Sequence, residues 1–320
     1  VANPGHNTTY ANQLNSYGAA SITLSADLSV TVSDTTVDGS TQTDNVTTAG
    51  GGETNPGQVG TAFFVGVSQT VLPKFSNPEV ELVSGATDRV LAGTNTATNF
   101  TVKNLAFAKS RVRTLGNFSL VEDNLVGMNA DGTETLSAAG QSGTSSSGEQ
   151  WCIDVGNTTQ DITVRHNYVK CDRSGIRRGN TGAGAARLLV EYNEVGRPAA
   201  GQTSTYDGIL LIGAGQDDLI QYNYIHDQQG AGSELGYNAG VIINNLVVQE
   251  NTYENNGKVL SGSPSNEPIN ISVKGINSNS IVKLYRNYVT KSGGIGIHVS
   301  ATNRVWITQN SIFANGSIPG

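Results

Sequence analysis

The sequence predicts an all-β solenoid, one chain winding through short strands that stack in parallel from coil to coil. Three observations predict it. A short segment of alternating apolar residues closed by Asn recurs along the chain. A second strand series interleaves with it at coil-length intervals. The 320 residues include 39 Gly and only 14% charged side chains, which excludes a coiled coil or helical bundle.

The first series reads Phe100-Thr-Val-Lys-Asn104, Ser119-Leu-Val-Glu-Asp-Asn124, Ile162-Thr-Val-Arg-His-Asn167 and Leu188-Leu-Val-Glu-Tyr-Asn193. It continues as Leu219-Ile-Gln-Tyr-Asn223, Val247-Val-Gln-Glu-Asn251, Val282-Lys-Leu-Tyr-Arg-Asn287 and Val305-Trp-Ile-Thr-Gln-Asn310. From Asn167 onward each Asn is followed by a short apolar strand such as Tyr-Val or Tyr-Ile. Period-two alternation marks these segments as strands. Asn suits the bend because it tolerates a left-handed backbone, and stacked Asn side chains can hydrogen-bond along the stack.

The second series begins near 151, 175, 208, 240, 269 and 294, as Trp151–Val155, Gly175–Arg178, Gly208–Ile212, Gly240–Ile243, Ile269–Val273 and Gly294–Val299. Each coil therefore holds two or three strands. No coil buries its apolar face alone; stacking creates one continuous core. The spacing varies because 196–206, 227–238 and 254–268 fall between a post-Asn strand and the next second-series strand, which predicts loops along one edge.

Upstream, Tyr10, Leu14 and Tyr17 stand at helical spacing before Gly18, so residues 1–20 read as a short N-terminal cap. Ile22–Leu24, Leu28–Val32, Val80–Val83 and Arg89–Leu91 read as strands. The Gly/Thr/Asn run 44–59 and the Gly/Ser/Thr run 129–149 read as loop excursions, and 151–320 as regular coils. No linker argues for two units, so 1–320 is read as one domain.

No apolar run is long enough to span a membrane. A net charge of −7 with 19 basic residues argues against nucleic acid as a partner. Seven Asn-X-Ser/Thr sequons (Asn7, Asn45, Asn99, Asn117, Asn157, Asn270 and Asn315) fit an exported chain. Cys152 and Cys171 are separated by close to one coil, and are expected to bridge neighbouring corners.

The repeats resemble the right-handed parallel β-helix proteins of the broad pectate-lyase-like superfamily, and most of all β-helix regions of large bacterial surface and secreted proteins. Those regions carry runs like Thr36-Val-Asp-Gly-Ser-Thr-Gln42 near the first coils, and like Asn124-Leu-Val-Gly-Met-Asn-Ala-Asp-Gly-Thr133. The resemblance implies a single-stranded right-handed parallel β-helix over about 20–320. Asn310-Ser-Ile-Phe-Ala-Asn-Gly316 looks like a coil that continues, so the chain reads as a fragment of a longer one with a coil open to end-to-end self-association.

The fold class hosts lyases, hydrolases, epimerases, adhesins and spacers, so activity must be argued from residues. Gln216-Asp217-Asp218 is the sole Asp pair and lacks the motif of a pectin-type hydrolase. Residues 165–197 hold seven basic and three acidic side chains, a local +4. Asp154, Arg177 and Ser272 fall on outward positions of the second series, with Lys274 and His298 near the same ladder. Asp154, Arg177 and Arg178 form the expected polyanion or glycan patch, walled by 196–206 and 227–238. Strict alternation after Ile176 points Arg178 inward, where it needs a carboxylate, Asp154 being the nearest expected. Seven Tyr (168, 192, 222, 224, 253, 285 and 288) cluster near the Asn bends, as corner packing or as a sugar-binding strip. Asn129–Glu134 matches a Ca²⁺ loop only in part, and no cofactor is otherwise implied. His6, His166, His226 and His298 lack metal-ligand spacing.

The expected function is an extracellular or cell-surface structural or adhesive module that contacts a polysaccharide or a neighbouring surface protein. It leans away from catalysis, with no catalytic residue assigned. The alternative is a secreted lyase acting on an acidic, uronate-containing polysaccharide.

Overall fold

A computed structural model describes residues 19–41, 57–84, 89–134, 151–171, 174–179, 185–197, 207–212, 215–236, 243–257, 269–274, 281–300 and 304–316. The expected helix at 8–17, most of 44–59 and 129–149, and the loops 198–206, 237–242 and 258–268 lie outside these residues.

The described strands form three long parallel sheets, of ten, nine and nine strands. Sheet 1 holds the post-Asn strands, from Ala20–Leu24 through Tyr168–Lys170 and Tyr224–His226 to Ser311–Phe313. Sheet 2 holds the second series, from Leu28–Val30 to Ile295–Val299. Sheet 3 holds the strands that precede each Asn, from Thr36–Asp38 to Arg304–Thr308. The chain visits them in the order 1, 2, 3 and repeats, and each strand pairs only with its counterparts one coil before and after. The molecule is a parallel β-helix.

One strand departs from the sequence reading. The sheet 2 strand between Ile209–Leu211 and Ile269–Val273 is Ser233–Leu235, not 240–243. Its central Glu234 faces outward, so the segment lacks the apolar run that marks the other copies. Residues 227–236 are consequently a corner and a strand rather than a loop.

The interior is a column of alternate side chains from all three sheets, running from Leu24 to Val289 and including Val121, Ile153, Ile176, Val195, Ile225 and Leu284. Fully burying one such side chain is worth about 1.5–3 kcal/mol. Sheet 3 fixes its register on the outside with charge: Lys103 pairs with Asp38 at 3.4 Å and Arg165 with Glu122 at 2.7 Å.

The corner from sheet 3 to sheet 1 carries Asn124, Asn167, Asn193, Asn223, Asn251, Asn287 and Asn310 in one column. From Asn167 on, each side-chain oxygen accepts from the Asn of the preceding coil, while that of Asn124 accepts the Leu105 backbone N–H; each amide nitrogen donates to a strand carbonyl. These residues are not the left-handed ones. The positive φ falls one position earlier, at Asp123, His166, Tyr192, Tyr222, Glu250, Arg286 and Gln309. A left-handed conformation costs a non-Gly residue roughly 1–2 kcal/mol, and the buried amide network offsets it. Asn104 differs because its chain reaches the corner one residue early, and it takes the left-handed position itself.

Residues 57–76 leave the coil stack. Gln58–Val59 pairs with Phe75–Ser76 and Phe63–Val65 with Thr70–Leu72, all antiparallel. This hairpin lies across the outer face of sheet 1 as a strap. Val65, Leu72 and Phe75 pack with Ala106, Leu125, Met128, Ala130 and Tyr224 in a small core separate from the main column.

Candidate functional site

The outward positions of sheet 2 form a register ladder: Arg113, Asp154, Arg177, Leu210, Glu234, Ser272 and His298. Alternation puts them there, since Ile153, Ile176, Ile209 and Ile271 beside them point into the core. Asp154, Arg177, Ser272 and His298 thus stand on one face.

At one end of the ladder two arginines share one carboxylate. Arg113 Nε lies 2.8 Å from Asp154 Oδ2, and Arg177 Nη1 lies 3.2 Å from Asp154 Oδ1. The Arg177 guanidinium sits over the Trp151 ring, 3.4 Å from its centroid. The buried indole N–H of Trp151 has no hydrogen-bond acceptor among the described residues.

Arg178 does not join this patch. It points inward, 1% exposed, and its partner is Asp218, not Asp154. The bond is bidentate, and Asp218 also accepts the backbone N–H of Leu188 at 2.9 Å. Both residues lie in the interior, whereas Asp154 faces outward, so no reach across the strand is open to it. Gly215 makes the room: a Cβ there would stand 1.8 Å from both Arg178 Nη2 and Asp218 Oδ2. The Asp217-Asp218 pair is thereby resolved, with Asp218 a buried counter-charge and Asp217 a left-handed corner residue bonded to Asn245.

The +4 window does not form one patch. It spans more than a coil, so its charges face different ways. Arg165 is on sheet 3 with Glu122, Lys170 is buried on sheet 1, Arg177 is on sheet 2, and Arg187 is exposed near the start of a sheet 3 strand beside Asp161. The tyrosines are similarly dispersed. Tyr192 and Tyr222 stack at 5.0 Å on the corners, Tyr253 is wholly buried against Ser233, and Tyr168 and Tyr224 lie beneath the strap.

Further along the sheet 2 ladder stands an acid pair that sequence reading missed. Asp207 and Glu234 are both buried, and their carboxyls are hydrogen-bonded to each other. Burial raises the Asp207 pKa well above the usual carboxylate range, and the neighbouring Glu234 raises it further. Asp207 Oδ1 also accepts the backbone N–H of Ala231 at 2.7 Å. Lys274 Nζ lies 2.6 Å from Glu234 Oε1. The next ladder position, Ser272, is fully buried, and among the described residues neither its hydroxyl nor His298 Nδ1 beside it has a hydrogen-bond partner. Asp207 and Glu234 belong to successive coils, and only the coil register brings them together.

His226 lies on sheet 1, with Nδ1 2.7 Å from Asp227 and Nε2 3.3 Å from Glu194. Burial opposes its cation, but the bonds to Asp227 and Glu194 outweigh it and its pKa is raised. Asn129–Glu134 is a turn closed on itself: Asp131 accepts from the backbone and hydroxyl of Thr133, at 2.8 and 2.6 Å. Cys152 and Cys171 are joined by a disulfide with Cα atoms 6.0 Å apart, tying sheet 2 of one coil to the corner of the next.

In comparisons with known proteins, no family model, no curated protein and no solved structure matches this chain.

Proposed function

We propose that this chain is a rigid extracellular module of a surface protein that contacts an acidic polysaccharide through the outward face of sheet 2. The observation that carries this reading is Arg177 laid on Trp151 and held by Asp154. A guanidinium fixed on an aromatic face presents its donors in one plane, suited to a carboxylate, beside the apolar surface of the indole. The Cys152–Cys171 disulfide fits an oxidising, extracellular setting. Long stacked coils suit a spacer or adhesive role, in which binding groups sit on a scaffold that does not deform. The test is binding to immobilised polygalacturonate and alginate, with a neutral glucan as control. Wild type should retain the acidic polymers, and Arg177→Ala combined with Trp151→Ala should lose that retention while keeping its unfolding midpoint within a few degrees. Equal retention by both proteins, or none by wild type, removes the patch.

A second reading, a secreted polyuronate lyase, draws on the Asp207–Glu234 pair and Lys274 on the same face. A proton acceptor next to a cation is what removal of the proton beside a uronate carboxylate requires. Ultraviolet absorbance that rises with pectate or alginate would favour it, and a flat trace with both would exclude it for those substrates.

A further inference from the structure

The strap is fastened to the solenoid in two different ways along its length. At its base the contacts are aromatic. Phe75 stacks on Tyr168 and His166 with centroids 5.4 and 4.7 Å apart, and Phe63 stacks on Tyr224 at 4.4 Å with the rings 13° from parallel. Beside Phe63, Thr61 donates its backbone N–H to Glu194 Oε2 at 2.9 Å.

At its tip the contacts are polar and converge on one carboxylate. Glu250 accepts the backbone N–H of Ser68 at 2.9 Å and its hydroxyl at 2.6 Å. Arg286, one coil on, donates Nε to the same carboxylate and Nη2 to Ser68 Oγ at 2.7 Å. Gly66 and Val67 add bonds to Thr252 Oγ1 and the Arg286 carbonyl, both at 3.0 Å. The fit is close: a Cβ on Gly66, whose φ is +71°, would stand 2.4 Å from Glu250 Oε2. The outer side of the strap, by contrast, is open, with Phe64 55% and Val71 58% exposed.

We propose that residues 57–76 form an acid-released clasp, with Glu250 as the latch: protonating it frees the strap tip while the coils stay wound. A protonated Glu250 loses its ion pair with Arg286 and one acceptor for Ser68, leaving the tip on the bonds of Gly66 and Val67 and of Ser68 Oγ to Arg286. The coils are held by the main core and the Asn column, neither of which includes the strap. A separate small core of this kind opens as a unit below the global unfolding energy.

The direction in pH follows from the groups around Glu250. Burial raises its pKa, but the Ser68 bonds and then Arg286 lower it below the usual value overall. A lowered pKa in the closed state means the latch contributes fully above the ordinary carboxylate range and is lost as pH falls through the closed-state value. Arg286 is the charged group against Glu250 and keeps its charge throughout. At the base the fastening is chiefly the stacking of Phe63 on Tyr224 and of Phe75 on Tyr168, which does not depend on a carboxylate charge, so the base holds longer than the tip. Freeing the tip uncovers Thr252 on sheet 1. This inference stands independently of the glycan reading.

Hydrogen exchange read as protection factors at pH 7 and pH 3 tests it. The peptide covering 57–77 should lose protection several-fold at pH 3, as loss of bonds to a charged group predicts, while peptides covering Asn193 and Asn223 keep theirs. Glu250→Gln should show the acid-like strap at pH 7 and little further change at pH 3. Ser68→Ala, which keeps the charge, should lower strap protection part of the way and retain the pH dependence; it decides the matter if Glu250→Gln does not fold. Strap and Asn-column peptides losing protection together, or a Glu250→Gln strap as protected as wild type at pH 7, would overturn the proposal.

Discussion

Asn193 Oδ1 accepts two hydrogen bonds from Asn167, one from its backbone N–H and one from its side-chain amide, each at 2.9 Å. Asn193 in turn donates to the carbonyls of Val164 and Glu191, both at 3.0 Å. One buried amide therefore closes the corner of two coils, and the same arrangement recurs along the column.

Replacing Asn193 with Ala should cost about 1–3 kcal/mol, since it leaves the buried Asn167 backbone N–H without its acceptor. Urea unfolding measures it. Asn193→Asp should cost at least as much at neutral pH, where the buried carboxylate is charged and faces Asn223 Oδ1, and less in acid. A loss for the Ala variant under about 0.5 kcal/mol, less than one ordinary hydrogen bond contributes, would deny the column its structural role.

Breaking the Arg178–Asp218 pair from one side strands a buried charge. Arg178→Met and Asp218→Asn should each destabilise by about 3–5 kcal/mol, and the double replacement Arg178→Met with Asp218→Leu by less than the sum. Additive losses in the double variant would mean the two side chains do not act as a pair.

Reducing the Cys152–Cys171 bridge should lower stability by about 3 kcal/mol, the value for a closed loop of this length. Thiol titration of the denatured, unreduced protein should find no reactive thiol; finding two would exclude the bridge.

Asp207 gives stability a slope of defined sign. Its folded pKa is raised, so the folded state holds the proton more tightly than the unfolded one. Its contribution is therefore fullest below the ordinary carboxylate range and is lost as pH rises through the raised value. Asp207→Asn should flatten stability against pH between pH 4 and 8. An unchanged slope would place the proton elsewhere.

The repeat was legible because each coil restates the same short-range rule. Alternation in Ile162–Val164 and Leu188–Val190 marks strands, and the Asn after each marks the corner. The strand Ser233–Leu235 was not legible, because an outward Glu234 between two inward residues carries too little apolar signal. The strap was missed although Phe63–Val65 and Thr70–Leu72 flank a turn at Gly66 in the manner of a hairpin, a pattern hidden beside a Gly-rich run.

By itself the sequence determined the solenoid, the Asn column, the outward placing of Asp154 and Arg177 and the inward placing of Arg178, since all follow from strand periodicity and burial. Only the tertiary structure decided partners. Arg178 meets Asp218, Asp207 meets Glu234, and Ser68 meets Glu250 from a distant part of the chain. Periodicity sets which way a side chain points; the register of neighbouring coils and the path of an insertion set what it meets there, and neither is written in any local stretch of the chain.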